Sequence, residues 1–163
     1  MTGTRAGDET VNATRVDIPQ SAVDDLRLRL ARTRWFDDID GSGWAYGTDQ
    51  AYLRDLCGYW ESGFDWYAWQ DRINAFDQVE TVIDDQRVHA IHQRSTDPMA
   101  TPLLLIHGWP GSVVEMLDVI GPLSDPGPLS SNDNRAFHVV CPSIPGYGFS
   151  GPTSQPGWGP RRI

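Results

Sequence analysis

The fold class is decided by Pro102–Ser112, which reads PLLLIHGWPGS. Its first part, Pro102–Ile106, is an unbroken apolar run, which is typical of a strand covered on both faces in a parallel sheet. Ser112 is a favourable helix cap, and Glu115 three residues later completes a capping box. The stretch therefore predicts a strand, a tight turn at residues 107–111 and a helix that begins after Ser112.

Three further strands are predicted around this stretch. Two of them form a hairpin with its turn at Asp84-Asp85, and the third follows the helix; they are Gln78–Asp84, Arg87–Arg94 and Phe137–Cys141. Residues 142–160 are too rich in Pro and Gly for regular structure. Strands that alternate with a helix indicate an α/β fold, here with about four strands.

Helices are predicted before the sheet. Apolar residues at helical spacing indicate a helix over 22–34 with Ser21 as its cap. Thr48 or Asp49 is expected to cap a second helix, and a short third helix should end near Ala75. The buried stripe of the second helix is predicted to be Leu53, Leu56, Cys57 and Trp60. The helix after Ser112 should end at Gly121-Pro122, because proline interrupts helical hydrogen bonding.

These patterns predict three segments. Residues 1–16 are polar and without periodicity, so we expect a disordered tail there. A helical module is expected over 17–76, and a partial α/β core over 77–163.

The composition excludes several classes of partner. The formal net charge is −9, and all 13 basic residues are Arg. An acidic chain repels phosphates and anionic lipids, so we expect no nucleic-acid or membrane partner. Cys57 and Cys141 form no CxxC motif and are predicted to be buried thiols of a reducing compartment. Because the sequence shows neither a signal peptide nor a membrane span, a cytoplasmic location is predicted.

The turn at residues 107–111 is the main candidate site. Glycines on both sides of Trp109-Pro110 are expected to let the backbone turn sharply and approach a ligand closely. An N–H group between a strand end and a helix start can stabilise a developing negative charge, so the Trp109 N–H is predicted to be an oxyanion donor. The Trp109 indole and the Pro110 ring are predicted to form an apolar wall against substrate. The simpler alternative is an ordinary strand-to-helix turn.

Other motifs point to neither a cofactor nor a metal. Gly146, Gly148 and Gly151 match GxGxxG, but that fingerprint requires a preceding strand and a following helix, and prolines bracket it here. His89 and His92 resemble a metal-binding pair, but residues three apart on a strand face opposite sides. We therefore predict structural histidines and no metal site.

The motifs HGWPGS at 107–112 and PSIPGYGFS at 142–150 resemble the paired signature of epoxide hydrolases of the microsomal type. Further matches to that family lie upstream, at YLRDLCGYW (52–60), FDW (64–66) and VHAIHQRS (88–95). The resemblance runs from about Ile18 to the last residue. It implies the first half of an α/β-hydrolase sheet behind a helical leader, in which His107, Gly108 and Gly111 are structural residues of the turn.

The resemblance also implies a two-step mechanism. An Asp on a nucleophile elbow opens the epoxide to give an ester, and a His oriented by a carboxylate then activates water to hydrolyse it. Two lid tyrosines protonate the ring oxygen. Of these groups only the Trp109 oxyanion donor falls within the 163 residues, so we predict that this chain alone is inactive. Completed by a C-terminal part, it would act on a small apolar epoxide without a cofactor.

Two alternatives remain open. One is a non-catalytic module that binds a partner or an apolar ligand. The other is a different α/β-hydrolase, such as a haloalkane dehalogenase, against which the upstream motifs argue. In the α/β-hydrolase arrangement that the resemblance implies, the strand that pairs with Leu103–Ile106 would come after residue 163, so we expect these residues to form an exposed edge strand that promotes self-association.

Overall fold

The computed structural model describes residues 10–127 and 135–163. It divides into two compact units, which we call the sheet unit and the helical unit. The sheet unit comprises residues up to Val16 together with Asp71–Ile163, and the helical unit comprises Asp17–Gln70.

The described residues of the sheet unit form one mixed sheet of five strands. The strands are β1 (Asn12–Thr14), β2 (Gln78–Ile83), β3 (Gln86–Gln93), β4 (Thr101–Leu104) and β5 (Phe137–Pro142). Their order is β1-β2-β3-β5-β4, with β4 and β5 parallel and every other neighbouring pair antiparallel. All four predicted strands are therefore confirmed, and β1 is an additional one.

The β2–β3 hairpin closes where the sequence predicts it. Ile83 pairs with Gln86, so the loop consists of Asp84 and Asp85 alone. Both have positive φ, 50° and 60°. A two-residue hairpin loop needs this left-handed backbone, and Asp tolerates it better than most residues other than Gly and Asn.

The prediction of a disordered tail over 1–16 is wrong for its last residues. β1 pairs with β2 through Asn12↔Glu80 and Thr14↔Gln78. Val16 is buried and exchanges two hydrogen bonds with the Asn74 side chain, whose Oδ1 accepts from the Val16 N–H at 3.0 Å. These residues are held by hydrogen bonds of their backbone, which do not require a periodic pattern of apolar side chains. The sequence pattern therefore did not predict β1. Residues 1–9 lie outside the described residues.

The α-helices of the described ranges are α1 (Gln20–Ala31), α2 (Gln50–Ser62), α3 (Trp66–Asn74) and α4 (Leu117–Ser124). The Asp49 cap is confirmed, since its carboxylate accepts the Tyr52 N–H at 2.8 Å. The Ser21 cap is wrong: the extended Pro19 precedes α1, and its carbonyl accepts the Ala22 N–H. The boundary between units falls after Gln70 rather than after residue 76, because the end of α3 belongs with the sheet.

The segment after the 107–111 turn begins as predicted but continues further. The Ser112 hydroxyl accepts the Val114 N–H at 3.3 Å and starts a 3₁₀ turn at Val113–Met116, which leads into α4. The predicted end at Gly121-Pro122 is wrong, since α4 includes Pro122. Proline removes a single hydrogen bond there, and the Asp125 N–H still bonds to Gly121 O and closes the last turn.

The predicted buried stripe of α2 is also wrong. No residue of α2 is buried, and the Leu56 and Trp60 side chains are each 45% exposed. They line a cavity of about 610 Å³ within the helical unit, together with Val23, Leu26, Phe64 and Arg27. Helical spacing correctly predicted that Leu56 and Trp60 lie on one face of α2. It did not predict that this face is only partly covered by the described residues.

The sheet unit has a well-packed core. Its fully buried side chains include Ile73, Ile91, Val113, Ile120 and Val139. Cys141 is buried among them, and burial raises the pKa of its thiol to about 11. Cys141 is therefore an inert core thiol, whereas Cys57 is half-buried.

Candidate functional site

The turn at residues 107–111 lies at the carboxyl end of β4. The Leu105 N–H bonds to Val140 O at 2.9 Å, so pairing with β5 continues beyond β4 itself. His107 follows and is buried, with 2% of its surface exposed. The carboxyl ends of parallel strands are where α/β sheets place their ligands. The sheet therefore positions this turn where a site is expected.

The His107 ring is hydrogen-bonded at both nitrogens. Nε2 lies 3.1 Å from the Ile144 N–H, which can only donate, so Nε2 is the acceptor. Nδ1 then carries the ring proton and donates it to Gly108 O at 2.9 Å. His107 thus connects the turn to the segment after β5 through two hydrogen bonds, and neither ring nitrogen is available as a base.

The Gly108 carbonyl fixes the direction of the Trp109 N–H. Gly108 O accepts a second hydrogen bond, from the Gly111 N–H at 2.9 Å. The Gly108 C=O and the Trp109 N–H belong to one planar trans peptide, so they point in opposite directions. Because the carbonyl is held on one side, the N–H is directed to the other. Within residues 10–127 and 135–163 it donates to no acceptor.

The two glycines of the turn differ in what a side chain would meet there. Neither Gly108 nor Gly111 has a φ in the left-handed region that favours glycine. A Cβ on Gly111 would collide with the flexible Glu115 carboxylate. A Cβ on Gly108 would meet no described atom within 4 Å. What Gly108 provides is open space beside the turn.

The side chains of the predicted apolar wall are open to solvent. Trp109 is 79% exposed, and Pro110 is exposed as well. The Trp109-Pro110 peptide bond is cis. Excluding water from this surface would require residues other than the described ones.

The two motifs that the sequence paired are adjacent in space. Tyr147 lies edge-on to the His107 ring, with ring centroids 6.4 Å apart. A Cβ on Gly148, whose φ is +50°, would come within 3.9 Å of Ser112. The PSIPGYGFS segment therefore packs against the HGWPGS turn, as a shared site requires.

A buried polar cluster behind the site was not predicted from the sequence. His89 is 2% exposed, and its ring nitrogens lie 2.9 Å from Gln78 Oε1 and 3.0 Å from Ser143 Oγ. Burial lowers the pKa of His89 to about 4, with smaller effects of Glu80 and Arg87. His89 was correctly predicted to be structural, but its partners are remote in sequence and carry no motif.

Two further motifs can be compared with the described structure. In the part of the chain that the structure describes, no cluster of His, Cys, Asp and Glu is arranged to hold a metal. The GxGxxG segment leads only into a 3₁₀ turn at Gly148–Ser150, not into the helix that a nucleotide site needs. Among the described helices, none is both long enough and apolar enough to cross a membrane.

A helical leader followed by a sheet whose parallel strand ends in this turn defines the first half of an α/β-hydrolase. The family model described as "Epoxide hydrolase N terminus" matches residues 11–116, which is more than half of the chain. The chain therefore belongs to the epoxide hydrolase family, as the N-terminal region of its members.

Individual relatives agree with this assignment. Epoxide hydrolase 1 of Oryctolagus cuniculus is 36% identical over 155 residues, covering 93% of this chain and 34% of the relative. The solved structure of juvenile hormone epoxide hydrolase from the silkworm Bombyx mori matches with a TM-score of 0.80 and 30% identity, covering 92% of this chain and 40% of that one. Epoxide hydrolase from Aspergillus niger matches with a TM-score of 0.76 and 31% identity, covering 90% and 38%. The chain thus spans about a third of the length of its curated relatives.

Proposed function

We propose that this chain supplies one half of the oxyanion hole of an epoxide hydrolase, through the Trp109 N–H. The observation that supports the proposal is the anchored Gly108 carbonyl, which directs an unbonded N–H away from the turn. A donor held in place before the reaction stabilises developing charge without reorganisation.

In the proposed reaction an epoxide and water give a vicinal diol. A carboxylate oxygen attacks an epoxide carbon, the ring C–O bond breaks, and the ring oxygen takes up a proton, which leaves a hydroxyalkyl ester. Water then adds to the ester carbonyl, the diol leaves, and the carboxylate is regenerated. The Trp109 N–H acts in this second step, on the carbonyl oxygen that becomes negative. The nucleophile, the base, the lid and the second oxyanion donor would come from outside residues 1–163.

The proposed substrate is a small apolar epoxide. Trp109 and Pro110 expose apolar surface on the same turn as the N–H donor. Once other residues cover them, they form one wall of a pocket that favours an apolar group and excludes water. No charged side chain belongs to the 107–111 segment itself when His107 is neutral, which suits an uncharged substrate.

The proposal is tested in a chimera that joins residues 1–163 to the remaining part of the Aspergillus niger epoxide hydrolase. Trp109→Pro removes the N–H donor, and we expect kcat to fall about 10²-fold, because one oxyanion donor is lost. The hydroxyalkyl ester should accumulate and be visible by mass spectrometry, since its hydrolysis is the step affected. Trp109→Ala is the matched control, which removes the indole but keeps the N–H. Equal kcat values for the two variants would contradict the proposal, provided that both melt cooperatively.

We also propose that this chain self-associates through β4. In the described sheet β4 is an edge strand, and Leu104 and Ile106 are 58% and 51% exposed on the same face. The N–H groups of Thr101 and Leu105 bond to Ala136 O and Val140 O on the side of β5, so those of Leu104 and Ile106 point to the open edge. Pro102 offers no N–H there, and no charged residue blocks the edge.

We expect light scattering of the purified chain to show dimers or larger species. Leu104→Lys should shift the chain toward monomer, because a charge on an edge strand opposes pairing. Val82→Lys is the control, since Val82 is similarly exposed but lies on β2, separated from β4 by two strands. A monodisperse wild-type monomer with a cooperative melt would instead favour the alternative of a self-sufficient, non-catalytic module.

A further inference from the structure

His89 holds both ends of the segment that packs against the 107–111 turn. At one end the Ser143 N–H donates to His89 O at 2.9 Å, and Ser143 Oγ lies 3.0 Å from His89 Nδ1. At the other end the His89 N–H donates to Ser150 Oγ at 2.8 Å. All three residues are buried, and the two serines are completely so. The segment between Ser143 and Ser150 is therefore fastened to a single residue of β3.

The direction of these hydrogen bonds follows from Gln78. Its amide nitrogen donates to Asn74 Oδ1 at 2.8 Å and to Ile73 O at 3.3 Å, so its oxygen faces His89. An amide oxygen only accepts, and His89 Nε2 therefore carries the ring proton. Nδ1 is then unprotonated and accepts the hydrogen of the Ser143 hydroxyl. Neutral His89 has both nitrogens satisfied, which a buried imidazole requires.

Ser143 is joined by one peptide bond to the group that fixes His107. The Ile144 N–H donates to His107 Nε2, and this bond determines which His107 nitrogen donates to Gly108 O. Gly108 O in turn sets the direction of the Trp109 N–H. A continuous series of short contacts therefore runs from β3 through Ser143 to the candidate oxyanion donor.

We propose that Ser143 and His89 are positioning residues for the Trp109 turn, which they orient through the Ile144 N–H and the His107 ring. This proposal rests on the proposed function, in which the Trp109 N–H of the turn is an oxyanion donor. Neither residue touches substrate; each holds the peptide whose N–H selects the His107 tautomer. If Ser143 only filled space in the core, its loss would lower stability without changing the state of His107.

The experiment compares Ser143→Ala with Ser124→Ala in the full 163-residue chain. Ser124 is also a buried serine, but its hydroxyl donates to Gly121 O within α4. Three quantities are measured by NMR: the ¹⁵N shifts of the His107 ring, the Trp109 amide resonance and the hydrogen exchange rate of Ile144. Global unfolding free energy is measured for both variants, so that a local effect is separated from a general loss of stability.

Ser143→Ala is expected to make Ile144 exchange at least about tenfold faster, to shift the Trp109 amide and to mix the two His107 tautomers. Ser124→Ala should change none of these. If Ser143→Ala does not fold, Ser143→Cys, which keeps a weak donor, is read in the same way. An unchanged His107 tautomer in the Ser143 variant, or equal effects of both variants, would overturn the proposal. These NMR measurements require no catalytic turnover. A negative result would therefore contradict the positioning role alone, whereas the Trp109→Pro chimera tests the oxyanion role separately.

Discussion

Purified protein of residues 1–163 is expected to form no diol from styrene oxide above the rate in buffer. An oxyanion donor lowers a barrier only after a nucleophile and a base have produced the charge that it stabilises. In a comparable catalytic triad, loss of the reactive groups costs about 10⁶ in rate. The expected activity of this chain is thus below detection.

The geometry of the turn supports this expectation. His107 is the histidine nearest to the Trp109 N–H in sequence, and both of its nitrogens are engaged with the backbone. Glu115 folds back against Gly111 and is the carboxylate that comes closest to that glycine. It is an exposed side chain in water, which weakens a nucleophile through solvation. Residues 142–163 contain a 3₁₀ turn but no strand–turn–helix elbow.

The measurement is diol formation by gas chromatography over a range of protein concentrations. Glu115→Gln serves as the informative variant, because it removes the carboxylate that lies against Gly111. Turnover by the wild type that Glu115→Gln abolishes would show that this chain carries its own nucleophile. The division of labour proposed above would then be wrong.

The predictable parts of the fold are those decided by local chemistry. The Asp49 and Ser112 caps satisfy N–H groups two or three residues away, so a short window of sequence contains the whole interaction. The Asp84-Asp85 loop is predictable for the same reason. The prediction of a Ser21 cap was wrong because Pro19, two residues earlier, supplies both the extended residue and the carbonyl with which α1 begins.

The features that the sequence did not reveal depend on residues far apart in the chain. β1 is held by β2 and by Asn74, and Ser143 is held by His89 more than fifty positions earlier. Leu56 and Trp60 share a face, as their spacing predicts, but their exposure depends on what covers that face. The candidate site divides in the same way: the motif located the Trp109 turn, whereas its support from His107, Ile144 and Gly108 emerged only from the structure.

Acidification is expected to destabilise the sheet unit through His89. The unfolded chain binds a proton at His89 with a pKa near 6.5, whereas burial lowers the folded-state pKa to about 4. Between these values the unfolded state binds more protons, so the unfolding free energy falls as the pH falls from 6.5 toward 4. The complete shift corresponds to about 3 kcal/mol. Below pH 4 His89 contributes no further change.

The surroundings of His89 explain why burial dominates. Glu80, its partner across β2 and β3, raises the pKa, but Glu80 is already paired with Arg87 at 2.9 Å. Arg87 itself acts in the opposite direction. The other groups against the ring, Gln78, Ser143 and Phe149, are uncharged. Protonation would also convert Nδ1 from an acceptor into a donor, which removes the acceptor that the Ser143 hydroxyl uses.

Denaturant unfolding at pH 7.5 and pH 5.0 tests this prediction. His89 should account for about 2 kcal/mol of the loss in unfolding free energy between the two conditions. His89→Gln keeps an amide donor and acceptor but cannot take up a proton, so its loss should be smaller by that amount, even if the variant is less stable at pH 7.5. Burial also lowers the pKa of His92, so part of the acid sensitivity should remain in the variant. If the unfolding free energies of wild type and His89→Gln fall by the same amount between pH 7.5 and pH 5.0, His89 is not the group whose protonation destabilises the protein. The neutral Ser143–His89–Gln78 arrangement is then not required for the stability of the sheet unit.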